Sequence, residues 1–571
     1  MIKEDASSPF GINQTKRYVS KNGESILFKQ DQIGNTGLVE LVDYMGGDGT
    51  VERVATAGHG SNIFPEKPSR ANLIRHLVAS GTYQPFSSVQ LKFHIQSPIE
   101  AALTLVYDPG VSVNEYSGRY SEMMNSSWTP NKEWIIDKLS GDQKDERATK
   151  ILNIFNEGRK NTFDNYQELL NIDMARELAR SGLGIDNDTA YFLKMDLNTA
   201  ARIVNNGDKH FSHNNLTKDY IESIAHAAEQ VAPESWYALT INTKPLDLTM
   251  PKDASIVDND LRPSQWEPSE TKRVTVPELE EHMFEIRRFL DHGQFQITDY
   301  MGDDSSFAQA ARVSYGAGTK KLSDDHNLTR SLIRDLHTSP IEMGELAMES
   351  RNPVFSDPRQ AGRHRTLDNH GFMGYTPIGN LFYIPDDSQF KYQDRINRQG
   401  RGKEMNPEDL EKAKTNFVSD KQDQLEIVSR LEDLDSPEDL IRMKKGVGFY
   451  TTMWRTGDTH NLGHFLMLRL DVHAQKEVRD YAEQIDWAMS LHTPIAHEAL
   501  KNDIINGMRL GANEVEFLKS KGILKDFDVN DPESYRGSGM LIKKDRNNPN
   551  SPLVLGRAGQ GLQKKLKRLK K

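Results

Sequence analysis

The 571-residue chain contains no cysteine, which excludes disulfides, thiolate metal sites and a cysteine nucleophile. Long apolar runs are also missing. No stretch approaches the ~18 residues a membrane-spanning helix needs, and the opening Met1-Ile2-Lys3-Glu4-Asp5-Ala6 is too polar for a signal peptide. The expected location is the cytoplasm. There is no basic surplus either: a net charge of −11 argues against a protein whose main business is coating nucleic acid, while leaving room for a small anion in a local basic pocket. His473 has no histidine partner at ligand spacing beyond His464, so no metal is expected.

What is there is length and repetition. At 36% hydrophobic and 27% charged residues, the chain can bury two or more ordinary cores. Leu41-Val42-Asp43-Tyr44-Met45-Gly46 recurs as Ile297-Thr298-Asp299-Tyr300-Met301-Gly302. At nearly the same offset, Leu73 to Leu77 followed by Gln84-Pro85-Phe86 recurs as Leu328 to Leu332 followed by Ser339-Pro340-Ile341, and Ser97-Pro98-Ile99 as Asn352-Pro353-Val354. So long a period implies duplicated whole domains rather than a solenoid.

The chain is organised around Arg359-Gln360-Ala361-Gly362-Arg363-His364-Arg365-Thr366, read together with Asn114-Glu115-Tyr116-Ser117-Gly118-Arg119-Tyr120-Ser121. So many cations at short range repel one another unless an anion sits among them, and guanidinium forks suit phosphate. By themselves these residues fit either an anion cradle or a solvated basic loop. Together the two stretches resemble the signature RHRxxSxxxxSxRY of the flavin-dependent thymidylate synthases, the ThyX family. Here the signature is split. The second half keeps Arg363-His364-Arg365-Thr366 and then departs through Met373-Gly374-Tyr375, whereas the first half keeps Ser117-Gly118-Arg119-Tyr120 but has Tyr107-Asp108-Pro109 ahead of it.

The resemblance implies an α/β (α+β) fold: two tandem ThyX-like domains, each a twisted antiparallel sheet flanked by long helices. It implies conversion of dUMP to dTMP with methylenetetrahydrofolate as carbon donor, FAD as cofactor and NADPH as reductant. The other, unrelated thymidylate synthase family attacks its nucleotide with a cysteine, which this chain lacks. Carried over residue by residue, the nucleotide falls to Glu115, Ser117 and Arg119 of the first half and to Gln360, Arg363 and Arg442 of the second. Arg469 resembles the arginine that favours the N3-deprotonated uracil, a role suited to a fixed cation; on its own it also reads as a helix-surface partner of Asp471 or Glu477. Flavin falls to His364 and Arg365, with Ser314, Ser339, Glu342 and His464 nearby. Asp458 and His460 are counted with the flavin contacts by resemblance, although both depart from the family: Asp458 replaces an asparagine, and His460 replaces an arginine.

Family members are homotetramers with sites between subunits. The complementary losses in the two halves therefore imply a homodimer acting as a pseudo-tetramer, in which NEYSGRYS of one half meets RHRT of the other. Gly207 and Thr104 stand where the second half has Arg469 and Gln360, so the first half builds no complete site alone.

The expected layout is a first domain at 38–250, a linker at 251–280, a second domain at 281–520 and an extension at 521–571. Gly37 to Tyr44 reads as a strand and Arg70 to Ala79 as a helix. The alternation of Val89, Leu91, Phe93 and Ile95 reads as a strand with one buried face between Ser88 and Val106. Asn114 to Ser121 reads as a loop, and helical spacing dominates from Lys132 onward. An insertion at 386–435 has helical spacing and little apolar surface. The tail, with Lys564, Lys565, Lys567, Arg568, Lys570 and Lys571, reads as a solvated terminus or a nucleic-acid contact. Two further readings stay open: a pyrimidine-nucleotide hydroxymethyltransferase, in which water captures the methylene, and a degenerate nucleotide- or flavin-binding protein.

Overall fold

The computed structural model describes residues 27, 29–57, 69–106, 110–118, 121–210, 215–240, 276–313, 325–356, 367–372, 381–393, 401–434, 436, 447–472, 474–507, 513–514, 516, 542–543 and 554–555. The linker from 251 to 275 and the basic tail lie outside them.

The first half runs β1 (Gln30–Ile33), β2 (Gly37–Met45), α1 (Asp48–Ala57), α2 (Arg70–Ala79), β3 (Gln90–Pro98), α3 (Ile99–Val106), β4 (Val111–Glu115), α4 (Lys132–Lys138), α5 (Lys144–Asn171), α6 (Arg176–Ala179), β5 (Asp188–Asp196), α7 (Leu197–His210), α8 (Asn215–Val231) and α9 (Pro233–Thr240). The second runs α10 (Pro277–Glu280), β6 (Arg287–Phe289), β7 (Gly293–Met301), α11 (Asp304–Val313), α12 (Asp325–Arg334), β8 (Glu345–Pro353), β9 (Asp368–Phe372), β10 (Lys391–Gln393), β11 (Arg401–Glu404), α13 (Pro407–Glu432), β12 (Tyr450–Asp458), α14 (Thr459–Arg469), α15 (Lys476–His492) and α16 (Pro494–Leu500). Each half builds one five-stranded sheet, in the orders β1-β2-β3-β5-β4 and β6-β7-β8-β12-β9. Every pairing in them is antiparallel. The expected pair of mixed domains is what the chain forms.

Local chemistry repeats with the fold. Gly46 and Gly302 end their strands at φ +80° and +76°, where a Cβ would press on the carbonyls of Ser88 and Met343 at 3.1 and 3.0 Å. Asp48 opens α1 and accepts from the backbone N–H groups of Glu234 and Ser235 at 2.9 and 2.8 Å, so it caps the Pro-initiated α9. Asp304 opens α11 and does the same for α16, accepting from Ile495 and Ala496 at 2.8 Å each.

On one side of each sheet the strands pack helices over an apolar core: Phe93, Ile95, Leu193 and Ile224 belong to the first, and Phe295, Met348, Leu466 and Tyr481 to the second. The other sides face one another. Strand β3 therefore buries both its faces, with Lys92 and His94 at 5% and 0% exposure, where the alternation predicted burial of one. A polar face reads as a solvent face in sequence; here it is covered by the other half.

Three further boundaries differ from expectation. The strand starting near Ser88 ends at Pro98 and a helix completes the stretch to Val106; Asn114 and Glu115 lie in a strand rather than a loop; and β5 interrupts the helical region after Lys132. The insertion forms a short hairpin and the 26-residue α13. Arg401 on the hairpin ties it to the second domain by reaching the buried Glu477 at 2.6 Å.

Candidate active site

Strand β4 is an edge strand, paired with β5 from Val111↔Met195 to Glu115↔Tyr191. It carries the start of NEYSGRYS to the second half. There the buried Asn114 is held at both ends of its amide. Its Nδ2 donates to the carbonyl of Ala310 on α11, and its Oδ1 accepts from Ser339 Oγ at 3.0 Å. Glu115 Oε1 accepts from Thr189 Oγ1 at 2.7 Å. The loop beyond is braced from its own half: Tyr116 OH donates to the Glu122 carbonyl, and Met123 N–H donates to Tyr166 OH at 2.9 Å. Gly118 lies beneath Arg180, whose Cδ and Nη1 stand 3.0 and 3.2 Å from where a Cβ would be.

The second half supplies the facing wall. Ser339 precedes the turn Ile341–Met343, and on that turn Glu342 Oε1 stands 3.8 Å from His460 Nδ1. Asp458 ends β12 and caps α14, accepting from Asn461 N–H at 2.8 Å and from Asn461 Nδ2 at 2.7 Å. Both carboxylate oxygens are thereby engaged, as aspartate at an N-cap commonly is. Between Asp458 and His460, the Thr459 hydroxyl is buried with no hydrogen-bond partner among the described residues. Leu367, the residue after RHRT, packs beside Gly457, where an added Cβ would come 3.2 Å from its Cδ2.

Two buried lysines of the first half close the floor. Lys194 Nζ meets Glu345 Oε2 at 2.6 Å. Burial alone would push its pKa down, but Glu345, Asp458 and Glu342 outweigh it and raise it. Lys92 Nζ donates to the Met343 carbonyl at 3.2 Å and lies 3.6 Å from Asp43 Oδ2; for this group burial wins and the pKa falls.

A family model described as thymidylate synthase complementing protein, Thy1, matches residues 40–234 and 296–495. The chain belongs to the Thy1 family. One match falls in each half, and the repeated sheet order agrees with a tandem arrangement. Similar relatives include flavin-dependent thymidylate synthases of Ruegeria pomeroyi (36% identical over 254 residues, 44% of this chain and 84% of that protein), Rickettsia bellii (35% over 263 residues, 44% and 89%) and Wolbachia pipientis wMel (33% over 268 residues, 47% and 93%). Among solved structures, a UMP/dUMP methylase PolB from Streptomyces cacaoi bound with 5-Br UMP aligns at TM-score 0.32 and 21% identity, over 37% of this chain and 96% of that one.

Within this Thy1 chain Ser339 meets Asn114 of the first half, and Glu342, with His460 beside it, and Asp458 stand near Lys194 of the first half; Glu115 is exposed and held by Thr189 of its own half, and Ser117 is half-buried. His464 and Arg469 are half-buried on α14. His337, adjoining Ser339, is exposed. Arg119, Ser314, Gln360, Arg363, His364, Arg365 and Arg442 lie outside the described residues.

The sequence reading passed over Arg180 as a site residue. Its signal was present: Arg180 stands ahead of Asp196 at the same spacing as Arg442 ahead of Asp458. Asp458 also gains a second role. Its twin Asp196 accepts from Thr199 N–H at 2.6 Å, so the aspartate that departs from the family pattern is the helix cap of both halves.

Proposed function

We propose that the chain is a flavin-dependent thymidylate synthase, converting dUMP to dTMP with methylenetetrahydrofolate as carbon donor and NADPH and FAD as reductant, at a site composed of both halves of one chain. The observation that carries this is the clasp on Asn114, which joins the start of NEYSGRYS to Ser339 of the other half. RHRT ends one residue before Leu367, which is anchored beside Gly457.

In this reading Glu115, Ser117 and Arg119 hold the nucleotide from the first half, and Gln360 and Arg363 from the second. Arg180, lying over Gly118, takes the further nucleotide contact that the resemblance gave to Arg442. Its guanidinium already shares a surface with the motif. Arg469 supplies the fixed positive charge that favours the N3-deprotonated uracil.

The flavin wall is Ser314, Ser339, Glu342, His364, Arg365, His460 and His464, and the buried, unpartnered Thr459 hydroxyl fits a polar group of the cofactor there. When bound, flavin supplies the hydride that completes the methyl group. Asp458, with both oxygens on Asn461, orients the first turn of α14 instead of meeting a cofactor phosphate. A second copy of the chain completes a pseudo-tetramer.

The test is the visible spectrum of the purified protein, followed by incubation with dUMP, methylenetetrahydrofolate, NADPH and FAD and the mass of the product. Bound flavin and dTMP formed only with all components present are expected. A hydroxymethylated product replaces the synthase reading with a hydroxymethyltransferase, and a protein that binds no flavin overturns both.

A further inference from the structure

The facing sides of the two sheets carry opposite charge. From the first half come Lys194, which meets Glu345 at 2.6 Å, and Arg53, which meets Glu349 at 3.1 Å; all four side chains are buried. Arg53 also lies over the rings of Phe284 and Trp454, 4.9 Å from each centroid, and Gln296 Nε2 donates to Glu349 at 2.7 Å. A reciprocal pair of backbone-to-carboxylate contacts marks the pseudo-twofold axis between these bridges: Gly302 N–H donates to Asp43 Oδ2 and Gly46 N–H donates to Asp299 Oδ2, at 2.9 Å each.

Strand register fixes which residues are twins. Asp43 pairs with Lys92, and Lys92 with Lys194, in the first sheet; Asp299 pairs with Ala347, and Ala347 with Thr456, in the second. Lys194 is thus the twin of Thr456. By the same register Glu345 is the twin of Gln90 and Glu349 of His94, while Arg53 of α1 matches Gln309 of α11. No charged partner of either bridge is repeated in the other half.

If two first halves met through this face, Lys194 would oppose Gln90 and Arg53 would oppose His94. If two second halves met, Glu345 would oppose Thr456 and Glu349 would oppose Gln309. Each alternative loses both ion pairs and sets these buried side chains against Gln90, His94, Thr456 or Gln309 in place of their hydrogen-bonded opposite charges, which is costlier than the observed pairing.

We infer that this face is built to accept only the opposite half, so that every pairing joins one first half to one second half and two copies of the same half are rejected. The Asp43–Gly302 and Asp299–Gly46 contacts, whose donor and acceptor repeat in both halves, would serve any pairing equally; the unrepeated charges choose. One consequence rests on the proposed function: each such pairing holds one NEYSGRYS segment against one Ser339 turn, hence one composite site per chain.

The test uses the full chain and does not read activity. Lys194→Glu and Glu345→Lys are each expected to lower the thermal unfolding midpoint by more than about 5 °C, or to split the transition in two. The combined exchange, which restores opposite charges, is expected to recover at least half of that loss. Failure of the exchange to recover while the single reversals fold overturns the inference.

Where a single reversal yields no soluble protein, the variant that combines Lys194→Met, Glu345→Met, Arg53→Met and Glu349→Met decides. Apolar replacement of both partners of both bridges can leave a buried interface intact while removing the charges that penalise like pairing. Sedimentation velocity should then show assemblies that the wild type does not form; an unchanged distribution overturns the inference.

Discussion

Ser339 of the second half donates a hydrogen bond to Asn114 of the first at 3.0 Å, while the other end of the same amide donates to the Ala310 carbonyl. An amide held this way has both its donor and acceptor engaged across the domain boundary, and it fixes where the NEYSGRYS segment leaves β4. Asn114→Ala strands two polar groups and should cost about 1–3 kcal/mol in urea unfolding, with the KM for dUMP rising as the segment loosens. A stability loss with unchanged KM would make the clasp structural only.

Gly118 has room for a Cβ only if Met123 Sδ, at 2.6 Å, and Arg180 move aside. Both are flexible side chains, so Gly118→Ala should fold. Dislodging Arg180 should weaken nucleotide binding by about tenfold, the equivalent of ~1.4 kcal/mol. Titration of dUMP by calorimetry reads this directly, and wild-type affinity would remove Arg180 from the site.

At Asp458 the helix cap and the flavin wall can be separated. Asparagine caps a helix about as well as aspartate, whereas alanine costs ~1 kcal/mol. Asp458→Asn should therefore leave the unfolding midpoint in place and Asp458→Ala should lower it. Fluorescence titration of FAD then tells whether the negative charge itself matters: equal affinity in the wild type and Asp458→Asn is expected if the carboxylate serves only Asn461.

Burial pushes Asp304 up to about 6 from an ordinary 3.8, against the two backbone N–H groups it accepts and with Asp303 adding to the rise. The folded state therefore holds this proton to higher pH than the unfolded chain does. Stability falls as pH rises from about 4 to 6 and is level above that. At ~1.4 kcal/mol per pKa unit, the change is on the order of 3 kcal/mol. Asp304→Asn abolishes it, so the variant should gain on the wild type by about that amount between pH 4 and pH 7 in paired urea melts. A constant difference would contradict the shift.

The duplication and the split signature were legible because they are carried by identity: Asp43-Tyr44-Met45-Gly46 and Asp299-Tyr300-Met301-Gly302 are the same strand end with the same left-handed glycine. Strand β2 and helix α2 were legible from periodicity. The burial of Lys92 and His94 was not, since nothing in an alternating strand says that its polar side will meet a second sheet.

Asn114 read as a loop residue because the motif does, yet its side chain is used at a strand edge. Asp458 reads in the sequence as a flavin contact that departs from the family's asparagine; its hold on Asn461 through both oxygens is local cap geometry that the substitution alone does not announce. Arg180 went unnoticed because its half lacks RHR, although it lies over Gly118 of the motif that half keeps. Pairing within one chain is a long-range property, and local sequence carries no signal for it.

The most direct test of a site built within one chain is complementation between Arg119→Ala and Arg363→Ala. Each variant should lose dTMP formation. Because NEYSGRYS and the wall it meets belong to the same chain, equimolar mixing after subunit exchange should leave the mixture as inactive as its parts. Recovery toward a quarter or more of wild-type activity would mean that the two arginines meet across chains, and would contradict the account.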